Sequence, residues 1–206
     1  DIDGVPVIAN DYPKLGTSVS LNNDGTILAV GSPQNNADSQ DKGIVIVYQY
    51  SGGSWTKLGS DIVGESSDDK SGTSVSLSND GTILAIGAQE NDGTGNIGGH
   101  VRVYQWNGTD TWTQLGEDID GEAASDQSGQ GESVSISNDG TIIAIGAIGN
   151  DGNGNSSGHV RVYQYSSGSW AQLGQDIDGE QVNSESGSSV SLSSDGTILA
   201  IGTPNN

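Results

Sequence analysis

The chain contains no cysteine, no methionine and no phenylalanine. The absence of cysteine excludes disulfide bonds, thiolate nucleophiles and thiolate-bound metals. No apolar run approaches the roughly 18–20 residues that a membrane-spanning helix requires. The acidic opening DIDG also differs from a signal peptide, which begins with a basic stretch and continues with an apolar one. We therefore expect a chain with no membrane span and no thiol chemistry.

Basic residues are scarce. Six Lys and Arg stand against 27 Asp and Glu, which gives a formal net charge of −21 over 206 residues. Nucleic acids and anionic lipid surfaces are bound through positive patches, so this balance excludes both as expected partners. The same charge attracts divalent cations and favours solubility.

Hydrophobic residues make up only 31% of the chain, and glycine occurs 33 times. Such a composition is often typical of disorder, but here the apolar residues are concentrated in short runs that recur. A unit of about 57 residues is written about three and a half times, and a fixed period indicates one supersecondary unit stacked on its own copies. Two sets of residues mark it: the predicted turn residues Asp24, Asp80, Asp139 and Asp195, and the structural aromatics Trp55, Trp112 and Trp170.

The second unit shows how one repeat is built. Residues 74–78 (SVSLS) alternate polar and apolar side chains, which indicates a strand. Asn79-Asp80-Gly81 predicts a tight turn, and residues 82–87 (TILAIG) predict a strand buried on both faces. Two further strands are predicted at 100–106 and 111–116. No segment has a sustained helical period, so we expect almost no helix.

Four short antiparallel strands in each repeat are typical of a β-propeller blade. We therefore predict an all-β fold, a β-propeller of four-stranded antiparallel blades, with a β-solenoid or a sandwich as the alternative. The chain is expected to form a single repeat domain, 1–206. Its parts are a preceding blade end and linker (1–15), blades at 16–71, 72–130 and 131–186, and a half blade at 187–206.

The phase of the repeat suggests a larger assembly. The sequence has four copies of the first strand pair but only three of the second, and it stops at TILAIGTPNN. An unpaired strand edge favours pairing with another chain. We expect the half blade to be completed either by neighbouring repeats of a longer chain or by another subunit through strand exchange. The expected partner is thus a protein.

Three short segments of the repeat resemble the FG-GAP repeat of integrin-α-type propellers. The family pairs a G-x-S-V strand with a V-G-A-P strand and a G-x-V-x-V-Y strand, and residues 72–75, 85–88 and 99–104 stand in those places. The SW-x-QLG line is similar to the bacterial and algal surface-protein branch, which implies an extracellular or cell-surface location. The signature Phe is absent, however, and the calcium loop between the first two strands has shrunk to Asn79-Asp80-Gly81. The family's calcium site is therefore not expected here.

Two other loops are the candidate metal sites. NDGTGN (91–96) and NDGNGN (150–155) place Asp and Asn oxygens on a glycine-hinged loop, as calcium loops do. Calcium is the only cofactor considered, and a polar connector is the alternative. The candidate ligands are Asn91, Asp92, Asn96, Asn150, Asp151 and Asn155. The sequence also contains two N-glycosylation sequons on predicted loops. One begins at Asn107, outside these two loops, and the other begins at Asn155.

The repeated basic pair His100/Arg102 and His159/Arg161 is replaced by Ile44 and Ile46 in the first unit. We expect these residues to pair with acidic groups between blades, with catalysis or sugar binding as the alternative. The acidic DIDGE segments (118–122 and 176–180) are interpreted as solvated linkers rather than as a glycosidase carboxylate pair. The tryptophans are expected to pack between blades rather than to stack on sugars.

No nucleophile–base pair or unique carboxylate cluster stands out, so we expect no catalytic residues. The sequence predicts a non-enzymatic extracellular structural or adhesive protein, part of an array or filament. A carbohydrate-binding, lectin-like propeller that binds glycans is the alternative, and a propeller hydrolase is the third hypothesis.

Overall fold

The structure is a computed structural model that describes residues 14–34, 41–93, 95–131 and 133–205. Most of the predicted N-terminal segment, 1–13, lies outside these ranges. All of the regular structure in the described residues is β-strand, so the prediction of an all-β antiparallel fold without helix is confirmed. No helix long and apolar enough to cross a membrane is found in these residues.

Seventeen strands form four antiparallel sheets in the described part of the chain. The first sheet holds β1 (Ser18–Leu21), β2 (Ile27–Ser32), β3 (Ile44–Ser51), β4 (Ser54–Lys57) and β5 (Ile62–Val63). The second holds β6 (Ser71–Leu77), β7 (Ile83–Ala88), β8 (His100–Trp106), β9 (Trp112–Gln114) and β10 (Ile119–Asp120). The third holds β11 (Val134–Ile136), β12 (Ile142–Ala147), β13 (His159–Ser166), β14 (Ser169–Gln172) and β15 (Ile177–Asp178). The fourth is the pair β16 (Ser189–Leu192) and β17 (Leu199–Gly202).

The outer edge of each large sheet is divided between two strands. In the second sheet, β9 pairs with the end of β8 and β10 pairs with its beginning, where Asp120 lies opposite His100. The predicted fourth strand at 111–116 is therefore shorter than expected, and the acidic segment after it returns to the sheet as a strand of its own. This division places carboxylates beside the first residue of the third strand.

The sheets pack face to face in chain order, and the core lies between them. One apolar cluster joins the first and second sheets through residues such as Val45, Val47 and Leu84, and another joins the second and third through Val101, Val103 and Ile143. Strand β7 is buried along its whole length, as predicted from its unbroken apolar run. Each large sheet therefore depends on its neighbour to cover its apolar face.

The sheets approach most closely at the glycine of their second strands. A Cβ added to Gly87 would lie far inside the van der Waals radius of the Gly129 carbonyl oxygen, and Gly31 and Gly146 have the same relation to Gly72 and Gly187. A serine supports two of these contacts, since Ser18 Oγ donates to the Gly72 carbonyl and Ser74 Oγ donates to the Gly129 carbonyl, both at 2.8 Å. Only glycine permits this backbone-to-backbone approach.

Replacing Gly87 with alanine should therefore lower the free energy of unfolding by about 3 kcal/mol, because the neighbouring backbone must move to admit the methyl group. Gly168 is the control: an added Cβ would meet nothing there, although its positive φ of 92° makes Gly168→Ala cost about 1 kcal/mol. Urea denaturation of both variants measures the difference. Equal losses would show that the sheets do not depend on this contact.

Candidate functional site

The two histidines of the chain lie at the seams between consecutive sheets. Each begins the third strand of its sheet, and the arginine two residues later lies on the same face because strand side chains alternate. We define the His100 cluster as Glu65, His100, Arg102, Asp118 and Asp120. We define the His159 cluster as Glu122, His159, Arg161, Asp176 and Asp178. In both, the glutamate comes from the preceding sheet.

In the His100 cluster, the arginine ties two sheets together. Arg102 Nη2 donates to the Val63 carbonyl at 3.2 Å, and its Nη1 lies 3.2 Å from Glu65 Oε1. The guanidinium carbon also lies 5.7 Å from the centre of the Tyr104 ring. This agrees with the prediction that the basic pair contacts acidic groups between repeats.

The imidazole of His100 is 1% exposed and faces two carboxylates. Its Nδ1 lies 3.6 Å from Asp118 Oδ2 and 4.0 Å from Asp120 Oδ1. Burial lowers the pKa of His100 below its ordinary value, and Arg102 acts in the same direction while Asp118 opposes it. Burial therefore favours the uncharged form of the ring, while the two carboxylates that face it act in the opposite direction.

Asp118 is held through one of its two oxygens. Gln114 Nε2 donates to Asp118 Oδ1 at 2.6 Å, while Oδ2 faces His100. Beside it opens a cleft of about 560 Å³, whose lining consists of Glu65, Gln114, Gly116, Glu117, Asp118 and Asp120. The carboxylate is 28% exposed, so it is accessible from this cleft.

The His159 cluster repeats this arrangement one sheet later. Arg161 Nη2 donates to the Asp120 carbonyl at 2.8 Å, and Gln172 Nε2 donates to Asp176 Oδ1 at 2.6 Å. Burial lowers the pKa of His159, with Arg161 again acting in the same direction and Asp176 against it. The three side chains Glu122, His159 and Asp176 offer ligand atoms that all lie within 4.8 Å of one another, as do Glu65, His100 and Asp118.

The interpretation of DIDGE as a solvated linker is corrected by these contacts. Asp118 and Asp120 lie against the histidine of their own sheet, and Glu122 reaches the histidine and arginine of the next sheet. The sequence carries a signal for this grouping. Where Ile44 and Ile46 replace the His and Arg, Val63 stands in place of Asp120, and Val5 stands in place of the preceding glutamate. Four of the five polar residues of the cluster are therefore replaced together in the first repeat, and only the aspartate equivalent to Asp118, Asp61, is kept.

The candidate calcium ligands lie in loops that their own oxygens stabilise. Asn91 is buried, its Oδ1 accepts from Gly93 N, and its Nδ2 donates to Asp69. Asp92 Oδ1 accepts from Ile97 N at 2.8 Å. The second loop repeats these contacts: Asn150 with Gly152 and Asp126, and Asp151 with Ser156. Asn96 accepts from Ser125 N through its carbonyl, and calcium binding in these loops stays a prediction.

Both sequon asparagines are exposed. Asn107 Oδ1 accepts from the backbone of Thr109, Asp110 and Thr111, and its Nδ2 donates to Asp110 at 2.9 Å. Asn155 Nδ2 donates to Asn183 Oδ1 at 3.1 Å. Glycosylation at either residue stays a prediction.

The aromatic residues lie at the same seams as the two clusters. Trp112 Nε1 donates to the Leu58 carbonyl, and Trp170 Nε1 donates to the Leu115 carbonyl, each in the preceding repeat. Each tryptophan also packs against an aromatic of its own sheet, and Trp55 packs on Tyr50 with ring centres 5.2 Å apart. These contacts are those of structural side chains.

The repeated aspartates lie in the turns between the first two strands of each sheet. The carboxylates of Asp24, Asp80, Asp139 and Asp195 each accept from the backbone and the hydroxyl of the threonine two residues later. Hydrogen bonds from Ser193 and Thr197 lower the pKa of Asp195 to about 2. We therefore interpret these carboxylates as groups that stabilise the turns rather than as ligand-binding groups.

No protein-family model matches the sequence, and no curated protein matches it either. Solved structures do show a similar fold. A Bacteroides uniformis protein described as a "putative 6-phosphogluconolactonase" has a TM-score of 0.58 at 11% identity, over 96% of this chain and 50% of that one. The periplasmic gluconolactonase of Pseudomonas aeruginosa has a TM-score of 0.54 at 20% identity, over 89% and 48%. Saccharomyces cerevisiae Sqt1 has a TM-score of 0.54 at 15% identity, over 86% and 39%.

This chain spans about half of the length of each of the two lactonase structures that it matches, 50% of one and 48% of the other. At these identities the likeness shows the fold, an all-β architecture similar to lactonase-like propellers. It also corrects the expectation of a non-enzymatic structural or adhesive protein with lectin-like binding as its alternative. Two of the three structures named above are described as lactonases. The structure also brings together titratable side chains that lie far apart in the sequence.

Asp195 supplies a pH prediction. A carboxylate with a lowered folded-state pKa stabilises the fold above the unfolded value of about 3.9, and this contribution is lost as pH falls through the folded value. NMR titration of its side-chain carboxyl should give a midpoint of about 2 in the folded chain, and near 3.9 in urea. In Ser193→Ala the midpoint should rise, since one donor is removed. A folded-state midpoint near 3.9 would contradict the turn geometry.

Proposed function

We propose that the chain forms about three and a half four-stranded blades of a β-propeller hydrolase that opens uncharged sugar lactones. The observation that carries the proposal is Asp118, a carboxylate that Gln114 holds at one oxygen on the wall of an open cleft while the other oxygen faces His100. The names of the two lactonase structures support the choice of substrate class. A second cleft, beside the innermost strands, is lined by Ser, Thr, Gln, Gly and Val, and none of its described lining residues is titratable.

Asp118 is the general base of the proposed reaction. Positioned general bases contribute about 10²- to 10⁴-fold to a rate. Gln114 fixes the orientation of the carboxylate, His100 lies 3.6 Å from its second oxygen, and Arg102 pairs with the neighbouring Glu65. His100 is buried and acts as a positioning residue rather than by touching the substrate.

The reaction consumes one water. Asp118 takes a proton from the water as its oxygen bonds to the lactone carbonyl carbon. The second amide hydrogen of Gln114 is available to the carbonyl oxygen as negative charge develops there. The ring C–O bond then breaks, and the leaving alkoxide takes the proton back from Asp118. The product is the open hydroxy acid, which releases a proton to solvent at neutral pH.

The charge of the cleft selects among lactones. Four of its six lining residues are carboxylates, and the chain as a whole carries a formal charge of −21. Like charges repel, so a phosphorylated lactone is disfavoured at this cleft and a neutral one is admitted. The proposed substrate is therefore closer to a gluconolactone than to its 6-phosphate.

The test measures proton release from D-glucono-1,5-lactone in a pH-stat, after subtraction of the spontaneous rate. Asp118→Asn should lose at least half of the catalysed rate. Asp176 is held by Gln172 in the same way and faces His159, so the double variant Asp118→Asn/Asp176→Asn should lose at least about 100-fold. The 6-phosphate of the lactone should react more slowly than the neutral compound.

Asp61→Asn is the matched control. Asp61 occupies the equivalent position in the first repeat, where it pairs with Lys57 and Ile44 stands in place of the histidine. This variant should keep the wild-type rate. A wild-type chain with no rate above the spontaneous one, or a double variant as active as wild type, would overturn the proposal.

A further inference from the structure

The His159 cluster differs from the His100 cluster in the state of its imidazole. His159 is 1% exposed, and neither of its ring nitrogens has a hydrogen-bond partner among the described residues. In His100 only Nε2 is in this position. A buried nitrogen without a partner is costly, because it has lost water and gained nothing in exchange. Its surroundings therefore need an explanation.

Three carboxylates converge on the unpartnered Nδ1. Asp176 Oδ2 lies at 3.8 Å, and Glu122 Oε2 and Asp178 Oδ1 lie at 3.9 Å. These separations are too long for hydrogen bonds. A tetrahedral ion with bonds of about 2.1 Å separates its ligand atoms by about 3.4 Å. The ligand atoms of Glu122, His159 and Asp176 lie within 4.8 Å of one another, and all three carboxylates are 28–43% exposed, so side-chain rotation can bring their oxygens, including that of Asp178, to this spacing.

The other contacts of these carboxylates leave the converging oxygens available. Arg161 Nη1 is nearest to Glu122 Oε1, at 3.6 Å, and Gln172 donates to Asp176 Oδ1. In both Glu122 and Asp176, one carboxylate oxygen contacts this neighbouring side chain and the second oxygen faces His159. The neighbouring groups orient the donors without occupying them, as the outer shell of a metal site does.

The net negative charge of the cluster also favours a bound cation. Three carboxylates face His159, and one cation, Arg161, lies beside them with its Nη2 engaged by the Asp120 carbonyl. The remaining charge of about −2 matches a divalent ion. Such an ion would pair with the imidazole nitrogen and the carboxylates at the same time, which no side chain of the cluster does.

We propose that Glu122, His159, Asp176 and Asp178 bind a divalent transition cation, with Zn²⁺ as the preferred ion. One imidazole nitrogen and three carboxylate oxygens suit zinc, whereas calcium and magnesium take oxygen ligands in larger numbers. The site is separate from the loops at 91–96 and 150–155. It does not rest on the proposed lactone hydrolysis, because a chain that binds zinc and leaves lactones intact would support this site and overturn that activity.

Thermal unfolding of the untagged chain with Zn²⁺ tests the site. At a hundredfold excess of free Zn²⁺ over its Kd, the unfolding temperature should rise by about 5 °C. Calorimetric titration should give one tight site for each chain, and Mg²⁺ should give no comparable shift. Co²⁺ in place of Zn²⁺ should give the strong visible absorption of tetrahedral coordination.

Two variants at equivalent positions separate the two clusters. His159→Asn should weaken Zn²⁺ binding by more than about 100-fold, while His100→Asn should retain the tight site. Because a buried histidine is also structural, Asp176→Asn provides a second test on a partly exposed ligand, and it should weaken binding in the same direction.

Three outcomes would overturn the site. The first is a wild-type chain with no Zn²⁺-dependent shift at millimolar ion. The second is a shift of equal size in wild type and in Asp176→Asn. The third is a shift that His100→Asn removes and His159→Asn leaves intact, which would place the ion in the other cluster.

Discussion

The backbone contact at the glycine of each second strand is the constraint on which the rest of the structure depends. Gly87 meets the Gly129 carbonyl without any side chain between them, and Gly31 and Gly146 meet the following sheets in the same way. Serine hydroxyls across the same boundary, such as Ser18 to the Gly72 carbonyl, complete the contact. Because the inner strands are held this closely, each sheet covers the apolar face of the one before it.

The polar seams follow from that stacking. When two consecutive sheets pack together, the chain segment that ends the outer edge of the first sheet lies over the beginning of the third strand of the second sheet. Arg102 then reaches the Val63 carbonyl, and Arg161 reaches the Asp120 carbonyl. The clusters are buried at their histidines and open at their carboxylates. A repeat with Ile44 and Ile46 at these positions keeps the fold without the His–Arg pair.

The elements of the candidate site can be recognised in the sequence, but their grouping cannot. The repeated His and Arg predict contacts with acidic groups between repeats, whereas the DIDGE pattern by itself indicates only a linker in solvent. Glu65 and His100 are 35 positions apart, and only the register between two sheets brings them together. The coupled replacements in the first repeat indicated this grouping, and comparison of the repeats position by position would have revealed it.

The amino-acid sequence by itself determined the strands, the turns and the repeat, because alternation, the Asp-Gly turns and the β-branched runs are local properties of the chain. The all-β fold without helix was predictable for the same reason. Only the tertiary structure decided that the outer edge divides after Gln114, that Asp120 returns beside His100, and that Glu122 crosses to His159. These contacts depend on how one sheet rests on the next, a relation between repeats that no single repeat contains.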